Sequence, residues 1–176
     1  MNKFALSSEG ERLHQHTSSH EVHAAWQHAI HPSWDMLIGI RRDFQPSYPN
    51  RDWGFISLQG LAPFFIDVEA TLYVSDEGQS NFSFTAGYEL PLTERLVLEP
   101  EIEANFYDRE DAAFDTGKGL ASLEAGLRLR YEVTRNVAPY VGADWGRLYG
   151  DTADIATSAG DKTHEAVFVA GLRAWL

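Results

Sequence analysis

The 176-residue chain contains no cysteine. That excludes a disulfide framework and any metal site built on thiolates. Methionine occurs only as Met1 and Met36, so thioether ligands are almost as scarce. Bases are few: 14 Lys and Arg stand against 26 Asp and Glu, a formal charge of −12. A nucleic-acid binder needs a basic footprint, so no nucleic-acid partner is expected, and cationic partners are favoured instead. No apolar run approaches the roughly 18 residues of a membrane-spanning helix. The opening MNKFALSSEGER lacks the apolar centre of a signal peptide, so an exported protein would be met here as a mature or shortened chain. A mean hydropathy of −0.31 reads as soluble for every architecture but one. In a membrane β-barrel alternate residues face water, and the average stays polar.

What is present is a period of two. In LEPEIEANFY, Leu98, Pro100, Ile102, Ala104 and Phe106 alternate with Glu99, Glu101, Glu103 and Asn105. SLEAGLRLRYE, FIDVEATLYVS and FSFTAGYEL repeat the pattern. Such alternation marks strands with one apolar and one polar face. It predicts ten, at 3–12, 21–30, 34–45, 51–61, 65–75, 82–91, 96–108, 121–133, 137–149 and 164–176. Each has about the 9–11 residues that a tilted strand needs to cross a bilayer. The connections alternate between tight turns (HPS, APF, LTER, TRN) and longer polar loops at 13–20, 46–50, 76–81, 109–120 and 150–163. Short turns at one rim and long loops at the other belong to a single-domain, transmembrane, antiparallel up-and-down β-barrel of about ten strands. Trp34, Trp53, Tyr88, Tyr131 and Trp145 fall near strand ends, as interfacial girdles would place them. A soluble barrel of the lipocalin type, enclosing a small apolar ligand, is the competing reading.

If the apolar parity meets lipid, the other parity lines the lumen. The inward acids are then Glu9, Glu11, Glu21, Asp35, Asp43, Asp67, Glu69, Glu89, Glu99, Glu101, Glu103, Glu124, Glu132, Asp144 and Glu165. The inward bases are Lys3, Arg41, Arg128, Arg130 and Arg173, which leaves a formal −10 inside. Like charges confined together repel strongly unless something neutralises them. Two readings stand: a lumen plugged by Glu–Arg pairs, and an electronegative path that attracts metal cations through Glu9, Asp67, Glu69, Glu99, Glu101, Glu103, Glu124 and Asp144. No nucleophile elbow, phosphate loop or HExxH helix is present, so no enzymatic site is expected.

Six of the seven histidines precede residue 32, and HQHTSSHEVH packs His14, His16, His20 and His23 into ten positions of the first long loop and the start of the second strand. Neutral imidazole suits Cu(II), Zn and Ni, with Cu(II) bound most tightly. With thiols absent, these four imidazoles and the nearby carboxylates of Glu11 and Glu21 form the strongest available ligand set. The alternative is polar filler in a loop. His28 is expected on the lipid side, His31 in a turn, and His164 near the same rim as the cluster.

The segments SEGER (8–12), QGLAPFF (59–65), YELPLTERLVLEPEIEANFY (88–107), GLASLEAGLRLRYEVTRNVAPYVGADW (119–145) and FVAGLRAWL (168–176) resemble the copper resistance protein B (CopB/PcoB) family of bacterial outer membranes. The resemblance spans nearly the full length. It implies an outer-membrane barrel, set in lipid, that binds copper ions and works with periplasmic proteins of the same resistance system. Family members carry a Met- and His-rich segment before the barrel, suited to Cu(I). With methionine only at 1 and 36 that segment is absent from this sequence, so the site expected here is a His and carboxylate one for Cu(II).

Overall fold

The computed structural model describes the backbone of residues 2–13, 17–44, 50–111, 114–134 and 136–174, and the side chains of 22–44, 50–111, 114–134 and 136–173. Within them the alternating segments pair as antiparallel strands. These are β1 (Asn2–Leu13), β2 (Thr17–His31), β3 (Trp34–Phe44), β4 (Arg51–Ala62), β5 (Ile66–Ser75) and β6 (Ser80–Tyr88). A two-residue piece, β7 (Leu90–Pro91), precedes β8 (Leu96–Tyr107), β9 (Gly119–Tyr131), β10 (Val137–Leu148) and β11 (His164–Ala174). Each long strand hydrogen-bonds to the next long strand in sequence, so the order is up-and-down throughout. The ten expected strands are all found. The largest difference is at β2, which starts at Thr17 instead of 21 because the β1 ladder continues through Leu13 opposite Thr17. The first connection is therefore shorter than the expected loop 13–20.

Parity follows the expected assignment. Ile38 and Ile40 on β3, Ile56 on β4, Leu72 on β5, Ile102 on β8, Leu127 on β9 and Phe168 on β11 are exposed on the outer face. The residues with least exposure are largely polar: Ser57, Thr71, Asp43, Arg51 and Arg130. Among the described residues only Trp53, Val97, Ala121 and Ala138 form a buried apolar core. A water-soluble fold inverts this distribution, so the described residues enclose no apolar ligand site of the competing kind. Each outward Leu or Ile, already partly covered by its neighbours, gains a part of the roughly 1.5–3 kcal/mol of full burial by leaving water for hydrocarbon. At about 3.3 Å per residue and a tilt near 45°, strands of this length cover the apolar band of an outer membrane. No described helix is long and apolar enough to cross one.

Two features depart from expectation. The loop 150–163 contains an α-helix, α1 (Gly150–Ala159), with Asp151 in its positive first turn. Gly160 closes it at φ 86°, donating its N–H to the carbonyls of Ala156 and Thr157. The buried Thr152 hydroxyl accepts the Gly117 N–H at 2.8 Å, so α1 braces the β8–β9 loop. Trp53 is not an interfacial residue. It is 6% exposed and its indole N–H donates to Asp43 at 2.9 Å inside the barrel. Its parity on β4, shared with Arg51 and Ser57, requires this, and nearness to a strand end does not override parity.

Candidate metal path: the rim and the lumen

The lumen is organised in layers. At the long-loop end, Arg41 grips Asp43 through Nε at 2.7 Å and Nη2 at 2.8 Å. The Arg41 guanidinium also lies 4.8 Å over the Tyr73 ring. Beside it stands Arg51, whose side chain is 4% exposed. Arg51 donates to Asp111 and Gln79, pairs with Glu77 at 2.8 Å, and sits 3.9 Å over the Phe114 ring. Through these bonds it ties the β8–β9 loop, which carries Asp111 and Phe114, to the mouth of the barrel. Arg51 adds an inward base to the expected five, with the parity of Trp53 and Ser57.

The backbone register aligns acidic residues at this level. Glu9 lies opposite Glu21, Glu21 opposite Asp43, and Asp43 opposite Arg51. His23 lies opposite Arg41. Its ring meets Phe55 edge-on at 6.0 Å, and Phe55 in turn covers Gly39, where a Cβ would come within 2.7 Å of the ring. His23 thus belongs to the interior. His20 lies on β2 opposite Gly10 and Phe44, and Glu11 on β1 opposite Ser19. His14 and His16 lie outside the described residues, as do the side chains of Glu9, Glu11, His20 and Glu21. Among the described residues no three His, Asp or Glu side chains are grouped to hold a metal ion. His28 stacks on Trp26 at 5.4 Å, and His31 accepts the Ser33 N–H in the first tight turn at 3.3 Å. His164 opens β11 opposite Arg147.

The middle layer is a hydroxyl relay. Thr71 donates to Ser57 at 2.7 Å, and Ser57 to the Glu69 carboxylate at 3.1 Å. Alongside, Asn105 donates to Glu103 at 2.9 Å. Glu103 lies opposite Glu124 in the β8–β9 ladder.

Towards the short-turn end three arginines gather five acids. Arg130 pairs with Glu99 at 3.0 Å, Glu89 at 3.1 Å and Glu132 at 3.2 Å. Arg128 pairs with Asp144 at 3.2 Å and Glu101 at 3.4 Å, and Arg173 with Glu99 at 3.2 Å. Next to this belt opens a cavity of about 460 Å³. Six carboxylates line it (Asp35, Asp67, Glu69, Glu89, Glu99 and Glu101), against two guanidiniums, Arg128 and Arg173. A formal −4 in a confined space of lowered dielectric attracts cations. Of the eight acids proposed as a path, Asp67, Glu69, Glu99 and Glu101 share this cavity. Asp144 joins it through Arg128, and Glu103 and Glu124 lie on the wall one layer further out.

At the loop end outside the lumen, the Asp108 carboxylate accepts the Ser80 N–H at 2.9 Å. That bond, with the Arg109 guanidinium beside it, holds the Asp108 carboxyl below its ordinary range.

Comparison with known proteins gives a concordant picture. A family model described as "Copper resistance protein B precursor (CopB)" matches residues 1–176. Copper resistance protein B of Escherichia coli is 44% identical over 170 residues, which cover 97% of this chain and 57% of that protein. The Copper resistance protein B homolog of Pseudomonas syringae pv. tomato (strain ATCC BAA-871 / DC3000) is 45% identical over 175 residues, 99% of this chain and 59% of that one. The chain thus spans rather more than half the length of these relatives. Among solved structures, the NanC porin superposes with a TM-score of 0.62 at 12% identity, covering 99% of this chain and 94% of that one. The KdgM porin in complex with disordered oligogalacturonate gives 0.62 at 13%, covering 100% and 90%. At such identity these two speak for the barrel fold alone.

Proposed function

The chain belongs to the copper resistance protein B family, and from that premise we propose that this outer-membrane barrel binds copper ions as part of a copper resistance system. The whole-length family match carries the reading. Copper is taken up at the long-loop rim by His14, His16, His20 and His23 with Glu11 and Glu21. The imidazole and carboxylate set favours Cu(II) over Cu(I). The row Glu9–Glu21–Asp43 supplies negative charge beside that segment. The acidic cavity at the short-turn end draws the ion inward, towards periplasmic proteins of the same system. The role is one of binding and passage, without catalysis.

A second reading concerns passage alone. Arg41 and Arg51, each held by carboxylates, fill the mouth of the lumen with a layer of closed ion pairs that a cation must pass. That layer favours a lumen closed at rest, in which the barrel binds copper without conducting it. Vesicles carrying the protein and an entrapped copper indicator separate the two: protein-dependent entry supports passage, and none supports the closed lumen.

Titration of the detergent-solubilised barrel with Cu(II), wild type against the quadruple His14→Ala, His16→Ala, His20→Ala, His23→Ala variant, tests capture. A drop of at least tenfold in affinity is expected. Equal affinities remove the rim site.

A further inference from the structure

The tip of the β4–β5 turn combines two penalties at the same residues. Phe64 and Phe65 both hold left-handed φ angles, 67° and 61°. Side-chain-bearing residues in this region cost about 1–2 kcal/mol each, and glycine would remove that cost. Their side chains are 85% and 74% exposed, as large phenyl surfaces beyond the strand ends. In water the strain opposes folding and the exposed rings contribute nothing to offset it. At the hydrocarbon boundary they do, because burying a phenyl group is favourable by an amount comparable to the strain.

Phe64 also overhangs a mainly apolar cleft of about 390 Å³ on the outer wall, lined by Ile66 of β5, Ala86, Gly87 and Tyr88 of β6, and Pro100, Glu101 and Ile102 of β8. The wall behind it is thin. The β6–β8 ladder stops at Gly87 opposite Glu101 and resumes only at Leu90 opposite Leu98 on β7. Pro100, in the gap, has no N–H to donate. The cleft shares Ile102 with the outward apolar band of β8. That band meets lipid in a barrel of this fold.

We propose that this cleft holds an acyl chain of an inner-leaflet phospholipid, and that the Phe64–Phe65 knuckle fixes the depth of the short-turn rim in that leaflet. The strained turn is kept because it leaves both rings exposed and sets Phe64 over the chain. The proposal is independent of copper binding.

Because the chain has no cysteine, a single Phe64→Cys substitution carries one nitroxide label without background. In vesicles of phosphatidylethanolamine and phosphatidylglycerol, its collisions with oxygen and with a water-soluble nickel chelate are compared with those at Glu94→Cys, an exposed position in the neighbouring short turn. The expected oxygen-to-nickel ratio at 64 is at least threefold that at 94. A ratio equal to that at 94 places the knuckle in water and overturns the proposal. Low collision with both reagents means cover by protein, such as a second copy, and overturns it equally. Adding Ala86→Leu, which fills the cleft from the lipid side, is expected to raise nickel collisions at 64 at least twofold. No change there overturns the cleft as the seat of the chain. Phe65→Cys gives the same comparison should the label at 64 disturb the turn.

Discussion

Replacing Arg51 by alanine removes the tie that holds the β8–β9 loop over the mouth of the barrel. The guanidinium is 4% exposed and Asp111, its partner, 8%, so little water is available to replace it. Breaking a buried pair by deleting one member costs about 3–5 kcal/mol, because the other charge stays behind in a dry setting. The stacking on Phe114 at 3.9 Å adds roughly 0.5–2 kcal/mol. Glu77 is 66% exposed and re-solvates, so it contributes little. Urea unfolding of the barrel from lipid vesicles, followed by tryptophan fluorescence, reads the loss. With an m-value near 2 kcal/mol/M the midpoint falls by about 2 M. The decisive comparison is Arg51→Met with Asp111→Asn, which removes both charges and is expected to recover most of the loss. A single-variant loss under about 1 kcal/mol, or a double variant no better than the single, refutes the buried tie.

Ile38 lies mid-strand on the outer face of β3. Ile38→Arg is expected to destabilise the folded barrel by about 2–4 kcal/mol in vesicles, the cost of a cation at the bilayer midplane. In water the same change at an exposed site is close to neutral, so a near-zero result contradicts the lipid-facing assignment. Asp108 titrates below its ordinary 3.8 in the folded barrel. It therefore stabilises the loop end of the β6–β8 pair above pH 3.8, and that contribution is lost as pH falls through the depressed value. Hydrogen exchange at the Ser80 amide, corrected for its intrinsic pH dependence, is expected to accelerate in this acid range. With Asp108→Ala it is expected to be fast both above pH 3.8 and in the acid range.

The strands were legible because outward and inward residues alternate almost without error, as in Leu98–Phe106 and Leu123–Tyr131. A period of two leaves one register that keeps both faces consistent. The side-chain pairing inside the lumen was not. Arg51 and Asp111 are 60 residues apart, and no local pattern joins a strand start to a loop beyond β8. Nearness to a strand end suggests an interfacial Trp53, while its parity with Ser57 points inward. The helix α1 hid in a loop rich in Asp, Gly and Thr. Its signals were Asp151 at the start and Gly160 at the end, short of the apolar stripe that marks most helices. Of the rim cluster, His23 lies against Phe55 and opposite Arg41. His14 and His16 lie outside the described residues.

Copper held by imidazole is the claim on which the functional reading turns, and electron paramagnetic resonance of the barrel carrying one equivalent of Cu(II) addresses it without reference to affinity or transport. Nitrogen superhyperfine structure in the wild type, gone when His14, His16, His20 and His23 are replaced, is the predicted result. An all-oxygen signal identical in both proteins would place the ion on carboxylates and contradict capture by the histidine segment.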